Sequence, residues 1–280
     1  MLKQRVITAL VLAPLMLGGI FLLPLNEFGI FVGVIATVAA WEWANMSGIT
    51  HAFGRMLYAA MVALALFATS QLLKQEPSYQ SFFLAIAGGW WLLALLFVLR
   101  YPNLTPVWSS MAARSFIGFC VLIPMWVGFM YLKQSAHSSL LILYLMFLIW
   151  GADTGAYFAG KRWGKSKLAP QVSPGKSWAG FWGGLATALF VSLVFAYYCH
   201  SAIKPLDTGS FISLIVISAI TMFSSVLGDL LESMFKRFRG IKDSSSLLPG
   251  HGGVMDRIDS MSAAVPVFAG LLLLFQWSLA

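Results

Sequence analysis

Apolar runs of bilayer-spanning length recur along this chain, near residues 6–25, 28–46, 56–73, 81–99, 115–132, 138–159, 178–199, 210–231 and 261–279. A helix needs about 20 such residues to cross a hydrocarbon core of about 30 Å. Within that core the backbone N–H and C=O groups have no water to bond, so each run is expected to be helical. The pattern predicts an all-α, polytopic integral membrane protein of about nine transmembrane helices. The first two runs are separated only by Pro24, Leu25, Asn26 and Glu27, and read either as two spans or as a re-entrant pair. Composition points the same way. Of 280 residues, 59% are hydrophobic and 10% charged, against about 25% charged in a soluble domain. That deficit excludes a water-facing surface over most of the chain, and no nucleic-acid partner is expected.

Charge placement tests the span count. With nine spans, the N-terminus and the even-numbered loops carry all but three of the 18 lysines and arginines; Lys74, Lys133 and Lys204 fall on the other side. The positive-inside bias then puts the basic ends in the cytoplasm. Shifting the count by one span in the middle would destroy much of this asymmetry. The start, Lys3-Gln-Arg5 before a long apolar run, has signal-peptide features, but no Ala-x-Ala-like cleavage site follows, so it is read as a retained first span. Trp41, Trp43, Trp90, Trp91, Trp163 and Trp178 lie near span ends, as interfacial anchoring predicts. Cys120 and Cys199 sit in apolar stretches and read as small buried hydrophobes. The histidines His51, His137, His200 and His251 are scattered, which argues against a histidine metal site.

Residues 1–137 read as about five N-terminal spans, and 138–280 as a C-terminal catalytic membrane region of about four spans with two basic loops. The first region holds only three acidic residues, Glu27, Glu42 and Glu76, so the chemistry is sought in the second. There, Gly151, Gly155 and Ala159 form a small-residue stripe for close helix packing. Asp153 beside them is a carboxylate near membrane depth, by default a functional candidate with a cationic or metal partner. A basic loop follows and ends in Ser173-Pro-Gly-Lys176-Ser177. Topology-setting positive charge near headgroups explains such a loop generally. Gly, Ser and Lys ahead of a helix can also present N–H groups and an ammonium to phosphate. The spacing is not that of a Walker A loop.

The second cluster begins on span eight. Asp229, Ser233 and Lys236 fall within about 60° of one another at 100° per residue, a polar stripe on an apolar helix. Lys242-Asp243, Pro249-Gly-His251-Gly-Gly253 and Asp256-Arg257-Ile-Asp259 follow, and Asp256 and Asp259 share a face if helical. A solvated, membrane-flanking loop with incidental ion pairs is the bland alternative. Acids amid an excess of cations suit Mg²⁺ with anionic phosphates, because Mg²⁺ prefers a few carboxylates plus water and substrate oxygens. His251 reads as a ligand, a base or a loop-fixing hydrogen-bond donor.

The run from Ser233 through Lys236-Arg237, Lys242-Asp243, Ser245, Leu248-Pro249, His251-Gly-Gly253 and Asp256-Arg257-Ile258-Asp259 resembles the signature of phosphatidate cytidylyltransferases. The resemblance extends to Gly151–Gly184 and more loosely to the N-terminal Lys3-Gln-Arg5. It implies CMP transfer from CTP to phosphatidate, giving CDP-diacylglycerol and pyrophosphate, at the cytoplasmic face of a bacterial inner membrane. It also implies a homodimer and Mg²⁺ dependence, with Asp229 and Asp256 as metal-contacting carboxylates. Asp229, Lys236, Asp256 and Asp259 are then the catalytic candidates. Asp153, Lys176, Ser177, Ser233, Arg237, Lys242, Asp243, His251 and Arg257 are the substrate-binding candidates. A CTP-dependent polyprenol or dolichol kinase is the rival enzyme, and an anion transporter the rival from another class.

Overall fold

The computed structural model describes residues 2–279, and side chains at Thr8 and from Leu10 onward; the side chains of Lys3 and Arg5 lie outside that set. The apolar runs fold as helices in chain order: α1 (Leu2–Leu22), α2 (Leu25–Ser47), α3 (Ala52–Gln75), α4 (Tyr79–Leu99), the short α5 (Thr105–Trp108), α6 (Met111–Gln134), α7 (Ser138–Trp163), α8 (Trp178–Ala202), α9 (Thr208–Arg239) and α10 (Met255–Leu274). Eight of the described helices are long and apolar enough to cross a membrane, while α1 contributes a shorter apolar stretch, Leu10–Leu22. The first two runs are separate helices joined at Leu23-Pro24. Two short strands, β1 (Lys167–Ala169) and β2 (Ser173–Ser177), pair antiparallel in the basic loop.

Short connections make successive long helices run in opposite directions, and side-chain contacts fix which ends share a side. Lys133 Nζ and Ser139 Oγ both donate to Ile20 O, and Trp277 Nε1 donates to Ser210 O. At the other end, Arg114 Nη1 donates to Met46 O and Arg239 Nε to Asn45 O. These guanidinium groups sit on the last carbonyls of α2, where the helix dipole favours cations. The second end is the basic one expected from charge placement.

Two packing features position the site. First, α7 and α8 lie against each other along the small-residue stripe: a Cβ added to Gly180 would sit 2.9 Å from Ala156 O, so only glycine permits that approach. Second, α9 has 32 residues, about 48 Å of helix against a core of about 30 Å. The run predicted to end near residue 231 therefore continues to Arg239, carrying its last turns into the polar zone. Trp43 of α2 and Trp108 of α5 clamp Phe235 of α9, with ring centroids at 5.2 and 5.0 Å. All three rings are fully buried.

Candidate active site

Three elements bring the first cluster together. Asp153 comes from α7, Lys176 from β2 and Asp229 from α9. Lys176 Nζ lies 2.8 Å from Asp229 Oδ2, and Asp153 is within electrostatic reach of both. Ser233, one turn beyond Asp229, donates from Oγ to Asp229 Oδ1 at 3.2 Å. A cavity of about 400 Å³ opens here between α7, α8, α9 and the hairpin, with Asp153 and Lys176 beside Ala156, Phe181, Met222 and Val226. Its walls are mostly apolar, and its charged lining residues are Asp153, Lys161 and Lys176.

The phosphate cradle expected ahead of α8 lines the cavity through Gly175, Lys176 and Ser177, and some of its groups also have local partners. Ser177 is buried and its hydroxyl accepts the amide of Gly180 at 3.2 Å, capping the helix. The Trp178 amide donates to Ser166 O. Of this group the ammonium of Lys176 stays directed at the cavity. Arg237 likewise has a local partner, donating from Nε to Val172 O at 3.4 Å and tying the hairpin turn to α9.

The second cluster centres on Lys236. Its Nζ lies 2.8 Å from Glu232 Oε2 and 2.7 Å from Asp256 Oδ1. Glu232 is 1% exposed and its other oxygen has no hydrogen-bond partner. Asp259 links the clusters, within electrostatic reach of Asp229, Lys236 and Lys176. Along this line, among the described residues, the carboxylates of Asp153, Asp229, Glu232, Asp256 and Asp259 have Lys176 and Lys236 as their interacting cations. Such a surplus of hard oxygen donors, one buried and orphaned, fits a divalent cation. Among the described residues no three His, Cys, Asp or Glu side chains form a metal pocket by themselves; Mg²⁺ does not need one when substrate phosphates complete its shell.

The signature loop folds over this line. Asp256 Oδ2 accepts the amides of Gly253 and Ser244 at 2.8 and 3.0 Å, so with Lys236 the carboxylate named for metal contact is also the loop's internal fastening. Lys242, Asp243, His251 and Arg257 line a second, more polar cavity of about 650 Å³ beside Pro249 and Gly252. His251 Nδ1 is buried without a partner. Thr8 of α1 donates to Pro249 O at 3.0 Å.

Two site residues were missed as candidates. Glu232 lies between Asp229 and Ser233 in sequence but off their polar stripe; its spacing of four from Lys236 is the available signal. Glu42, on α2, was set aside with the acid-poor first half. It is fully buried and accepts from Ser244 Oγ (3.0 Å), Ser245 Oγ (2.5 Å), Val254 N (2.9 Å) and Met255 N (2.6 Å). A carboxylate inside an apolar run was its one visible signal.

Residues 3–275 match the Cytidylyltransferase family. The chain is 48% identical over 277 residues to a phosphatidate cytidylyltransferase of Pseudomonas aeruginosa, covering 99% of both chains. It is 40% identical to the Haemophilus influenzae protein of that name, covering 96% of this chain and 98% of that one. The Bacillus subtilis protein of the same name is 32% identical, with 98% and 99% covered. The chain belongs to the cytidylyltransferase family.

Proposed function

We propose that this multi-pass membrane protein is a phosphatidate cytidylyltransferase, and that its two cavities hold the two substrates on either side of one charged line. The carrying observation is the continuity of that line, from Asp153 through Lys176, Asp229 and Asp259 to Lys236 and Asp256. The apolar 400 Å³ cavity suits phosphatidate, with its phosphate reaching Lys176. The polar 650 Å³ cavity, with Lys242, His251 and Arg257, suits the CTP triphosphate.

In the reaction, a phosphate oxygen of phosphatidate attacks the α-phosphorus of CTP. The bond from that phosphorus to the oxygen bridging to the β-phosphorus breaks, and pyrophosphate leaves. Such a displacement depends on alignment and charge neutralisation more than on a protein nucleophile. Lys176 and Lys236 offset charge on the reacting phosphates, while Lys242 and Arg257 hold the leaving pyrophosphate. Ser233 keeps the Asp229 carboxylate in place. Asp229 and Asp256 would hold Mg²⁺, which when bound neutralises phosphate charge; Asp229 has the freer oxygens, because Asp256 already accepts from Lys236 and two amides. The basic end faces the cytoplasm of a bacterial inner membrane, and the homodimer implied by the family is checked by the mass of the detergent-purified particle.

The kinase alternative is not favoured by the family match, nor the transporter, whose polar residues would gather near the midplane on broken helices. Purified protein given phosphatidate and CTP labelled at the α-phosphate should yield a labelled lipid, and EDTA should stop it. Lipid labelled only from γ-labelled CTP would overturn the assignment in favour of a kinase. Replacing Asp229 by Asn should lower turnover by about 10²–10³, as loss of a charge-stabilising group does.

A further inference from the structure

The catalytic reading leaves one buried charge unused. Among the described residues Glu42 makes no ion pair within 4 Å, with Arg55 in electrostatic reach, and its two oxygens accept from two hydroxyls and two amides. The two amides, of Val254 and Met255, belong to the start of α10, where helix N–H groups lack intrahelical partners. The two hydroxyls come from Ser244 and Ser245, at the other end of the signature loop. Ser244 Oγ lies 3.0 Å from both Glu42 Oε2 and Asp256 Oδ2, but a hydroxyl carries one proton. Asp256 Oδ2 already receives two amides, so the Ser244 proton goes to Glu42.

Gly253 is the position that allows this. A Cβ there would lie 2.5 and 2.6 Å from the two Glu42 carboxylate oxygens. The α2 helix that presents Glu42 is itself pinned at its C-terminus by Arg114 and Arg239. A fixed anion from the second helix thus joins both ends of the signature loop.

We propose that Glu42 is a positioning residue for the reaction: an anion supplied from outside the catalytic half that closes the signature loop and sets the start of α10, and so the shape of the triphosphate cavity. This rests on the reading of that cavity given above. Glutamine fills the same space but turns one acceptor into a donor, so it must face an amide or hydroxyl donor and leave buried donors unpaired. The apolar cavity is built by α7, α8, α9 and the hairpin, and among the described residues the hydrogen bonds of Glu42 go instead to the signature loop and the start of α10, so the lipid site should be indifferent to the change.

The test compares wild type with Glu42→Gln in detergent. The KM for CTP should rise about tenfold, the change expected when a buried donor loses its acceptor, while the KM for phosphatidate stays within about twofold. A purely structural defect would lower the active fraction, so that kcat falls with both KM values unchanged; that result, or unaltered kinetics, overturns the proposal. If Glu42→Gln does not accumulate, Ser244→Ala with Ser245→Ala removes two donors and leaves α2 intact; the same KM split supports the proposal and its absence refutes it. Amide hydrogen exchange gives a reading independent of activity. In Glu42→Gln, exchange at Val254 and Met255 should quicken about tenfold while residues 167–177 are unaffected, and unchanged exchange at Val254 and Met255 refutes the proposal. A wild type that makes no CDP-lipid defeats the functional reading alone, because the exchange result still judges the role of Glu42.

Discussion

The hairpin at 167–177 is closed mainly by its own neighbours, with α9 alone reaching it through Arg237 and Asp229 among the hydrogen bonds and ion pairs of the described residues, whereas the loop between α9 and α10 is closed by groups from four helices. β1 and β2 pair through backbone bonds, and Ser177 caps the helix that follows it directly. The signature loop has only an isolated bridge between Leu248 and Gly252, and relies on Thr8 of α1, Glu42 of α2, Lys236 of α9 and Asp256 of α10. Both loops are basic and both lead into a helix. The difference teaches that the hairpin's shape is local to its sequence, while the signature loop's shape exists only once distant spans have packed. Its cavity is therefore the one exposed to damage from far along the chain.

The largest break in that comparison should come from Lys236→Ala. Removing the ammonium leaves Glu232 and Asp256 facing each other, both largely buried, without their shared cation. Loss of one partner from a buried pair costs about 3–5 kcal/mol. The unfolding midpoint in detergent should fall and CMP transfer should disappear, with hydrogen exchange rising across 242–255 before the hairpin responds. A variant with normal stability and an undisturbed loop would show that these charges are not the loop's fastening.

Gly253→Ala should have an intermediate effect. Its Cβ meets Ser244 Oγ first and then the Glu42 oxygens, which are held by four donors and have little room to retreat. Overpacking of this kind costs about 1–3 kcal/mol. Shortening the acid as well, in Gly253→Ala with Glu42→Asp, should recover part of the loss, because residues sharing one hydrogen-bond network are not additive. Strict additivity in the double-mutant cycle would mean that the glycine and the acid act independently.

These residues also show what the sequence made legible. The long helices followed from apolar run length, and the basic end from the positions of Lys74, Lys133 and Lys204 against the other cations. The polar stripe of Asp229, Ser233 and Lys236 followed from helical period alone, although the partner of Asp229 proved to be Lys176 from β2 and not Lys236. Glu42 escaped because its role depends on tertiary contact across more than two hundred residues. Periodicity reports which face a residue occupies on its own helix; it carries no information on which loop will fold against that face. Ser177 was named for phosphate, while its cap was not foreseen: the same hydroxyl that can meet a phosphate can cap a helix, and the residue types ahead of α8 serve either purpose.

The smallest effect, and the one that sharpens the comparison most, is expected for Ser177→Ala. Deleting the cap of α8 leaves the Gly180 amide without its acceptor, at about 1 kcal/mol. The hairpin keeps its backbone pairing and Lys176 keeps Asp229, so turnover should fall by less than about tenfold. The thermal midpoint and the initial rate, measured on the same preparation, separate the two roles open to this hydroxyl. A small loss shared by both marks a cap whose damage stays local, as the hairpin's self-contained bonding requires. A rate loss of about hundredfold at an unchanged midpoint would instead put the hydroxyl on a substrate phosphate, and the hairpin would then be as much a part of the reacting surface as the signature loop.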